Sequence, residues 1–191
     1  MDAPLSFALA VLALLATPGP TNTLLAASGA LSGTRRSLAL VPAEVASYLL
    51  SIGALLALVG PAVQASPVLG GALKLAAGCY LARSALVLWR ASRTERAAGE
   101  VTSPRRVFVT TLLNPKALVF AFGVFPGHDL KAATALFAVL VALVACAWIV
   151  AGSRLGLATR GIAGGAGISR VAAVVNGGFA AAIAGSALAA L

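Results

Sequence analysis

The stretch "LLATPGPTNTLLAAS", residues 14–28, interrupts an apolar run that is long enough to cross a bilayer. Pro18 and Pro20 lack N–H groups, and the residues that precede them are displaced from the helical region. We therefore expect an unwound turn over residues 17–20, with Pro20 in the first position of a new helix. Free backbone groups are tolerated at membrane depth only against protein or a water-filled cavity, so this break predicts one of those two surroundings.

The composition of the whole chain is that of a membrane protein. Of its 191 residues, 60% are hydrophobic and 10% are charged, and the mean hydropathy is +1.00. Soluble domains carry roughly 25% charged residues. The basic residues punctuate apolar segments, so we interpret the net charge of +9 as a sign of membrane topology and not of nucleic-acid binding.

The apolar segments predict an all-α fold, a polytopic helical bundle with six transmembrane helices. The predicted spans are residues 5–31, 37–60, 68–89, 107–126, 131–152 and 171–191. They form a single membrane domain over residues 1–191. Residues 1–90 contain the first three helices, residues 107–191 contain the last three, and residues 91–106 are a cytoplasmic connection.

The distribution of arginine predicts the orientation. The connections between spans 1 and 2, 3 and 4, and 5 and 6 contain every arginine that lies outside the spans: Arg35, Arg36, Arg90, Arg93, Arg96, Arg105, Arg106, Arg154, Arg160 and Arg170. The opposite side contains one basic residue that is charged at neutral pH, Lys131, together with His128, Asp129 and Asp2. Because basic loops stay in the cytoplasm, both termini are predicted to lie outside.

A second break occurs in the fourth span, in "TTLLNPKALVFAF", residues 110–122. Pro115 frees the carbonyl of Thr111, Asn114 is a good helix cap, and Lys116 lies in the first turn that follows. The two breaks are about 95 residues apart, half of the chain, and three spans per half give the halves opposite orientations. Broken helices at corresponding positions of two inverted repeats, here helices 1 and 4, indicate the binding site of a transporter.

The candidate substrate-binding residues surround the two breaks. Helix starts expose N–H groups and carry partial positive charge, which suits a substrate carboxylate. Lys116 would add a full charge, with a carboxylate as its first expected partner and Glu44 as the second. The set comprises Pro18, Gly19, Pro20, Thr21, Asn22, Asn114, Pro115 and Lys116, with Lys74 of the third span as a lower-ranked member.

Glu44 is the candidate for proton coupling. It lies in the second span, where a charged side chain costs about 2.5–3.5 kcal/mol on insertion scales, so it is expected to be paired or to line a cavity. One interpretation is a proton-accepting carboxylate that pairs with Lys116 or with the substrate amine. The other is a structural ion pair, or a side chain that extends to the interface.

Three motifs in order resemble the LysE/RhtB-type amino-acid exporters. They are Pro-Gly-Pro at 18–20, "GALKLAAGCYLARSALVLWR" at 71–90 and "LLNPKALVFAFGVFP" at 112–126. The resemblance covers nearly the whole chain, and Lys74 matches the third-span motif. It implies a bacterial inner-membrane protein that expels amino acids or their analogues, driven by an ion gradient. Many members carry an acidic residue directly after Pro-Gly-Pro, where this chain has Thr21 and Asn22, so the resemblance argues against lysine or arginine as cargo.

We therefore expect a transporter that exports amino acids or close zwitterionic relatives, driven by the proton-motive force. The alternatives are an exporter of another small solute or a cation, and a non-transporting membrane scaffold. Cys79 and Cys146 belong to no CxxC or Cys/His cluster, and we predict no catalytic residue, metal or cofactor. The expected partners are an amino acid, the lipid bilayer and further copies of the chain in a homo-oligomer, without nucleic acid.

Overall fold

The computed structural model describes residues 3–66, 68–73, 75–76, 79, 82–83, 86 and 102–158, and this part of the chain is helical and contains no strand. The sixth predicted span lies wholly outside the described residues, and 10 of the 22 positions of the third do so too. Lys74 is also outside them. The prediction of two complete three-helix repeats depends on these spans and stays a prediction.

Six helices are numbered here in chain order, and the described residues between 68 and 86 are helical as well. The six are α1 (Ala3–Ala16), α2 (Pro20–Ser32), α3 (Thr34–Ala65), α4 (Pro104–Leu112), α5 (Lys116–Val124) and α6 (Leu130–Ala158). Helices α3 and α6 are each long and apolar enough to cross a membrane. The pairs α1/α2 and α4/α5 meet the same test when each is taken as one bent span. The six numbered helices thus correspond to predicted spans 1, 2, 4 and 5.

Proline produces both bends, as expected. Helix α1 ends at Ala16 and α2 begins at Pro20, with an angle of 65° between the two axes. Gly19 between them is fully extended, with φ −154° and ψ −179°. In the second pair, Leu113, Asn114 and Pro115 separate α4 from α5, and the axes differ by 52°. Each bend follows from a missing N–H and from the restriction that proline places on the residue before it.

Helices α2 and α6 approach so closely that their backbones touch. A methyl group at Gly152 would overlap the carbonyl oxygen of Ala26, and one at Gly29 would overlap the carbonyl oxygen of Ile149. Gly156, one turn beyond Gly152, lies in the same way against Ala30. Small residues permit such contacts between membrane helices. Because Ala26 and Ala30 meet Gly152 and Gly156 in the same order, α2 and α6 run parallel, as spans 1 and 5 of a six-span topology must.

Helix α3 lies beside α4, and serine hydroxyls join them. Ser47 Oγ donates to the carbonyl of Phe108 at 2.7 Å, and Ser51 Oγ donates to that of Leu112 at 3.3 Å. Both contacts advance in the same direction along the two helices, so α3 and α4 are parallel, as spans 2 and 4 must be. The second hydrogen bond satisfies one of the carbonyls at the end of α4.

Aromatic side chains fill the core between α3, α5 and α6. Tyr48 and Phe137 pack edge-to-face, with ring centroids 5.8 Å apart, and Phe137 contacts Phe125 at 5.5 Å. The series continues through Phe7 of α1 to His128, which follows α5. Apolar side chains of the outer surfaces remain exposed, as lipid-facing groups do; Leu58 is 79% exposed.

Candidate functional site

The two helix breaks lie side by side inside the bundle. The hydroxyl oxygens of Thr21, in the first turn of α2, and Thr111, near the end of α4, are 3.0 Å apart and share one hydrogen bond. Both threonines are buried, with exposed fractions of 1% and 0%. The sequence places these residues 90 positions apart. The fold therefore brings the two interrupted segments together, as a site built between two halves requires.

Lys116 connects the second break to the first. Its side chain is 4% exposed, and its Nζ donates to the carbonyl oxygen of Leu14 at 3.0 Å and to that of Thr17. Those carbonyls are at the end of α1, where the helix dipole carries partial negative charge. From the sequence we expected an anion beside Lys116, whereas in the structure its ammonium group donates hydrogen bonds to backbone carbonyl oxygens.

Asn22 donates to two carbonyls of the first break. Its Nδ2 donates to Leu15 at 2.7 Å and to Thr17 at 3.0 Å. Two side chains, from α2 and α5, thus supply donors to the carbonyls of Leu14, Leu15 and Thr17, which a continuous helix would have paired internally. The unwound segment is therefore held against protein groups, one of the two surroundings that the sequence predicted.

The second break is stabilised from its own side and from α3. Asn114 Oδ1 accepts from the backbone N–H of Lys116 at 3.1 Å, so this asparagine caps α5 as expected. Its Nδ2 lies 3.3 Å from the hydroxyl of Tyr48 and donates to it. The N–H of Asn114 reaches the carbonyl of Thr111, which Pro115 had left without its usual donor.

Glu44 is buried on the face of α3 that points toward this cluster, with an exposed fraction of 2%. Its Oε2 is a buried oxygen without a hydrogen-bond partner among the described residues. The carboxyl group and the Lys116 ammonium attract one another electrostatically. A buried carboxylate oxygen with no donor is unfavourable unless a ligand or a proton satisfies it.

The structure brings together most of the predicted site residues. Thr21, Asn22, Asn114 and Lys116 form one hydrogen-bonded region around the two breaks. Gly19 borders the ammonium group, because a Cβ built there would lie 3.4 Å from Lys116 Nζ. Among the described residues, no group of His, Cys, Asp or Glu side chains could hold a metal ion.

Sequence reasoning missed three kinds of contributor to this region. Ser47, Tyr48 and Ser51 follow Glu44 at spacings of three, four and seven residues and share its face of α3. This polar spacing within an apolar span was a readable signal. Thr111 stood in the quoted motif but was considered only for its carbonyl. Pro18 indicated a free carbonyl at Leu14, but nothing indicated the carbonyl of Thr17 or that Lys116 would donate to both.

The hydrogen bond between Thr21 and Thr111 can be tested by a double-mutant cycle. Thr21→Val is expected to lower the free energy of unfolding by about 1–3 kcal/mol, because it leaves the buried Thr111 hydroxyl without a partner. Thr21→Val combined with Thr111→Val should be less destabilising than the sum of the single changes. Denaturant unfolding in mixed micelles measures all four proteins. Strict additivity would show that the two hydroxyls do not interact.

The chain matches a known protein family. The sequence model of the LysE type translocator family matches residues 12–190. That interval includes both breaks, Glu44 and Lys116. At a significant level the chain matches no curated protein and no solved structure.

Proposed function

Because the chain belongs to the LysE type translocator family and transports small solutes across a membrane, we propose that it exports amino acids or close zwitterionic relatives from the cytoplasm. The observation that carries the proposal is a pair of buried ionisable groups of opposite sign, Glu44 and Lys116, beside two adjacent helix breaks. A zwitterion carries one group complementary to each. The two charges therefore favour this solute class over a simple anion or cation.

Each residue has a proposed role. Lys116 and the N–H groups at the starts of α2 and α5 would bind the substrate carboxylate, with hydrogen bonds from Thr21, Asn22 and Asn114. Glu44 would receive the amine or the coupled proton, since its Oε2 has no partner among the described residues. Pro18, Gly19, Pro20 and Pro115 hold the two backbones open. Lys74 remains a candidate from the third span.

We place the protein in the bacterial inner membrane with both termini outside. Support for this orientation comes from the arginines, which lie in the connections on one side of the predicted spans. The parallel directions of α2 with α6 and of α3 with α4 support the order of the spans. Access would alternate by movement about the bend at residues 17–19. The proton-motive force is the proposed source of energy, with Glu44 as the group that links proton and substrate.

The function is tested by efflux from cells preloaded with a mixture of labelled amino acids. Cells that produce the protein should lose one or a few amino acids selectively, compared with cells that carry an empty vector. A protonophore should abolish the selective loss. Equal retention of every amino acid by both strains would refute amino-acid export, and equal loss with and without the protonophore would refute proton coupling.

Glu44→Gln is expected to reduce export at least about tenfold, the effect of losing roughly 1.4 kcal/mol of binding or coupling free energy. Its abundance in the membrane should stay at the wild-type level or rise, because a neutral amide is less unfavourable than a carboxylate in a buried position. Asp129→Asn is the matched control. Asp129 is exposed and its Oδ1 accepts from the N–H of Ala132 at the start of α6, so that variant should export normally. Normal export by Glu44→Gln would remove Glu44 from the mechanism.

A further inference from the structure

The carbonyl oxygens of Leu14 and Thr17 converge on one cation. Both accept from Lys116 Nζ, and the contact with Leu14 measures 3.0 Å. The oxygens belong to the end of a helix, which adds partial negative charge, and no side-chain anion takes part in these two hydrogen bonds. Backbone carbonyls at an unwound helix end are the groups with which broken-helix transporters coordinate their coupling cations. The chemistry of this position is therefore that of a cation site.

The sequence creates the need for a cation here. Pro18 is four residues beyond Leu14 and has no N–H, so the Leu14 carbonyl loses its helical donor. Thr17 lies past the end of α1, and its carbonyl has Asn22 Nδ2 as a second donor at 3.0 Å. Without Lys116, the Leu14 carbonyl oxygen would have no hydrogen-bond donor among those shown for the described residues. Lys116 comes from the other half of the sequence, 102 positions away.

Two further features describe what fits beside these oxygens. Gly19 leaves bare backbone next to the ammonium group, and a Cβ there would already lie 3.4 Å from Nζ. The two carbonyl oxygens beside it accept hydrogen bonds, so they suit a group that donates N–H bonds and not a fully alkylated nitrogen. Glu44 supplies an independent indication of a ligand, because its buried Oε2 lacks a partner among the described residues while its carboxyl group attracts the same ammonium.

We propose that the carbonyl oxygens of Leu14 and Thr17 form a binding site for a primary ammonium group, and that Lys116 occupies this site as a tethered ligand. The amino group of the exported solute is then its natural competitor, a step that rests on the proposed function. Exchange of one ammonium for the other conserves the charge at α1. It also releases Lys116 Nζ from α1, so that the same lysine becomes available to the solute's carboxylate.

The site is tested without transport, by thermal unfolding of purified protein at constant ionic strength. Lys116→Ala removes the tethered ammonium and leaves room for a free one. Propylammonium should raise the unfolding midpoint of Lys116→Ala by about 3 °C or more and should leave the wild type unchanged. Tetramethylammonium, which has no N–H, and Na⁺ should have no effect. Stabilisation by Na⁺ in place of propylammonium would overturn the ammonium assignment, and so would no response to either cation.

Two proline substitutions identify the oxygens. In the Lys116→Ala background, Pro18→Ala returns an N–H to the Leu14 carbonyl and should abolish the response to propylammonium. Pro20→Ala instead returns an N–H to the Ala16 carbonyl and should preserve the response to propylammonium. Equal responses in the two double variants would refute the site as defined. A failure of export in cells, with these binding results intact, would refute the proposed function alone.

If Lys116→Ala is recovered only as aggregate, the yield of monodisperse protein replaces the unfolding midpoint. Production and extraction with propylammonium should then give a higher yield than with tetramethylammonium. Equal yields under the two conditions would overturn the proposal.

Discussion

Lys116→Met is expected to abolish export and to lower the free energy of unfolding by about 1–3 kcal/mol. Methionine keeps most of the length of lysine but has no donor, so the Leu14 carbonyl loses the hydrogen bond that it now accepts at 3.0 Å. Thr17 retains the hydrogen bond from Asn22, which limits the loss of stability. Export should fall to the level of the empty vector, because the attraction to Glu44 and the hydrogen bonds from α5 to the Leu14 and Thr17 carbonyls depend on this ammonium.

The measurement combines efflux at equal membrane abundance with denaturant unfolding of the purified protein. Lys131→Met is the matched control, since Lys131 is exposed in the first turn of α6. It should export normally and change the free energy of unfolding by less than about 0.5 kcal/mol. Export by Lys116→Met at the wild-type rate would exclude Lys116 from both substrate binding and coupling.

Gly152→Ala and Gly53→Ala are expected to change stability in opposite directions. Gly152 lies where α6 meets the backbone of Ala26, and a Cβ there has no space unless the helices separate. Because overpacking typically costs about 1–3 kcal/mol, Gly152→Ala should lower the unfolding midpoint and the amount of protein in the membrane. Gly53, on the exposed side of α3, has no described residue within contact distance of an added Cβ. Alanine there should be neutral or stabilising by up to about 1 kcal/mol, the difference in helix propensity.

Thermal unfolding midpoints of the two variants and the wild type test these opposite expectations. Both are the same chemical change in the middle of an apolar helix, so composition and side-chain hydrophobicity are held constant. An unchanged midpoint for Gly152→Ala would show that α2 and α6 are farther apart than the structure has them. A loss of stability in Gly53→Ala would show that α3 has a close neighbour at that position.

Local rules were sufficient for the helix breaks. Proline at 18, 20 and 115 inside apolar runs predicted both bends, and Asn114 caps α5 as its position in the motif indicated. These outcomes follow from the missing N–H and from the residue next to it in sequence. Length and hydropathy likewise predicted the second and fifth spans. Most of the predicted ends lie within a few residues of the ends in the structure.

The partners across the bundle were not readable in the same way. A lysine in the first turn of α5 predicted an anion from the dipole of its own helix, whereas the fold supplies the opposite dipole of α1 from far along the chain. Gly152 and Gly156 have the GxxxG spacing that is typical of close helix contacts, but this spacing does not say which helix makes the contact. The π-helical turns at Leu55–Val59 and Phe120–Val124 had no local signal that we identified.

The contact between Lys116 and Leu14 also sets an order in which the protein can be made. The two residues are 102 positions apart, and at common rates of synthesis roughly 5–20 s separate their appearance from the ribosome. During that interval the Leu14 carbonyl at the first break has no hydrogen bond from Lys116, because Lys116 has not yet been synthesised. Helix α6, against which α2 packs, is also absent. The polar turn near the amino terminus is therefore among the first segments to be synthesised and among the last to reach its native surroundings.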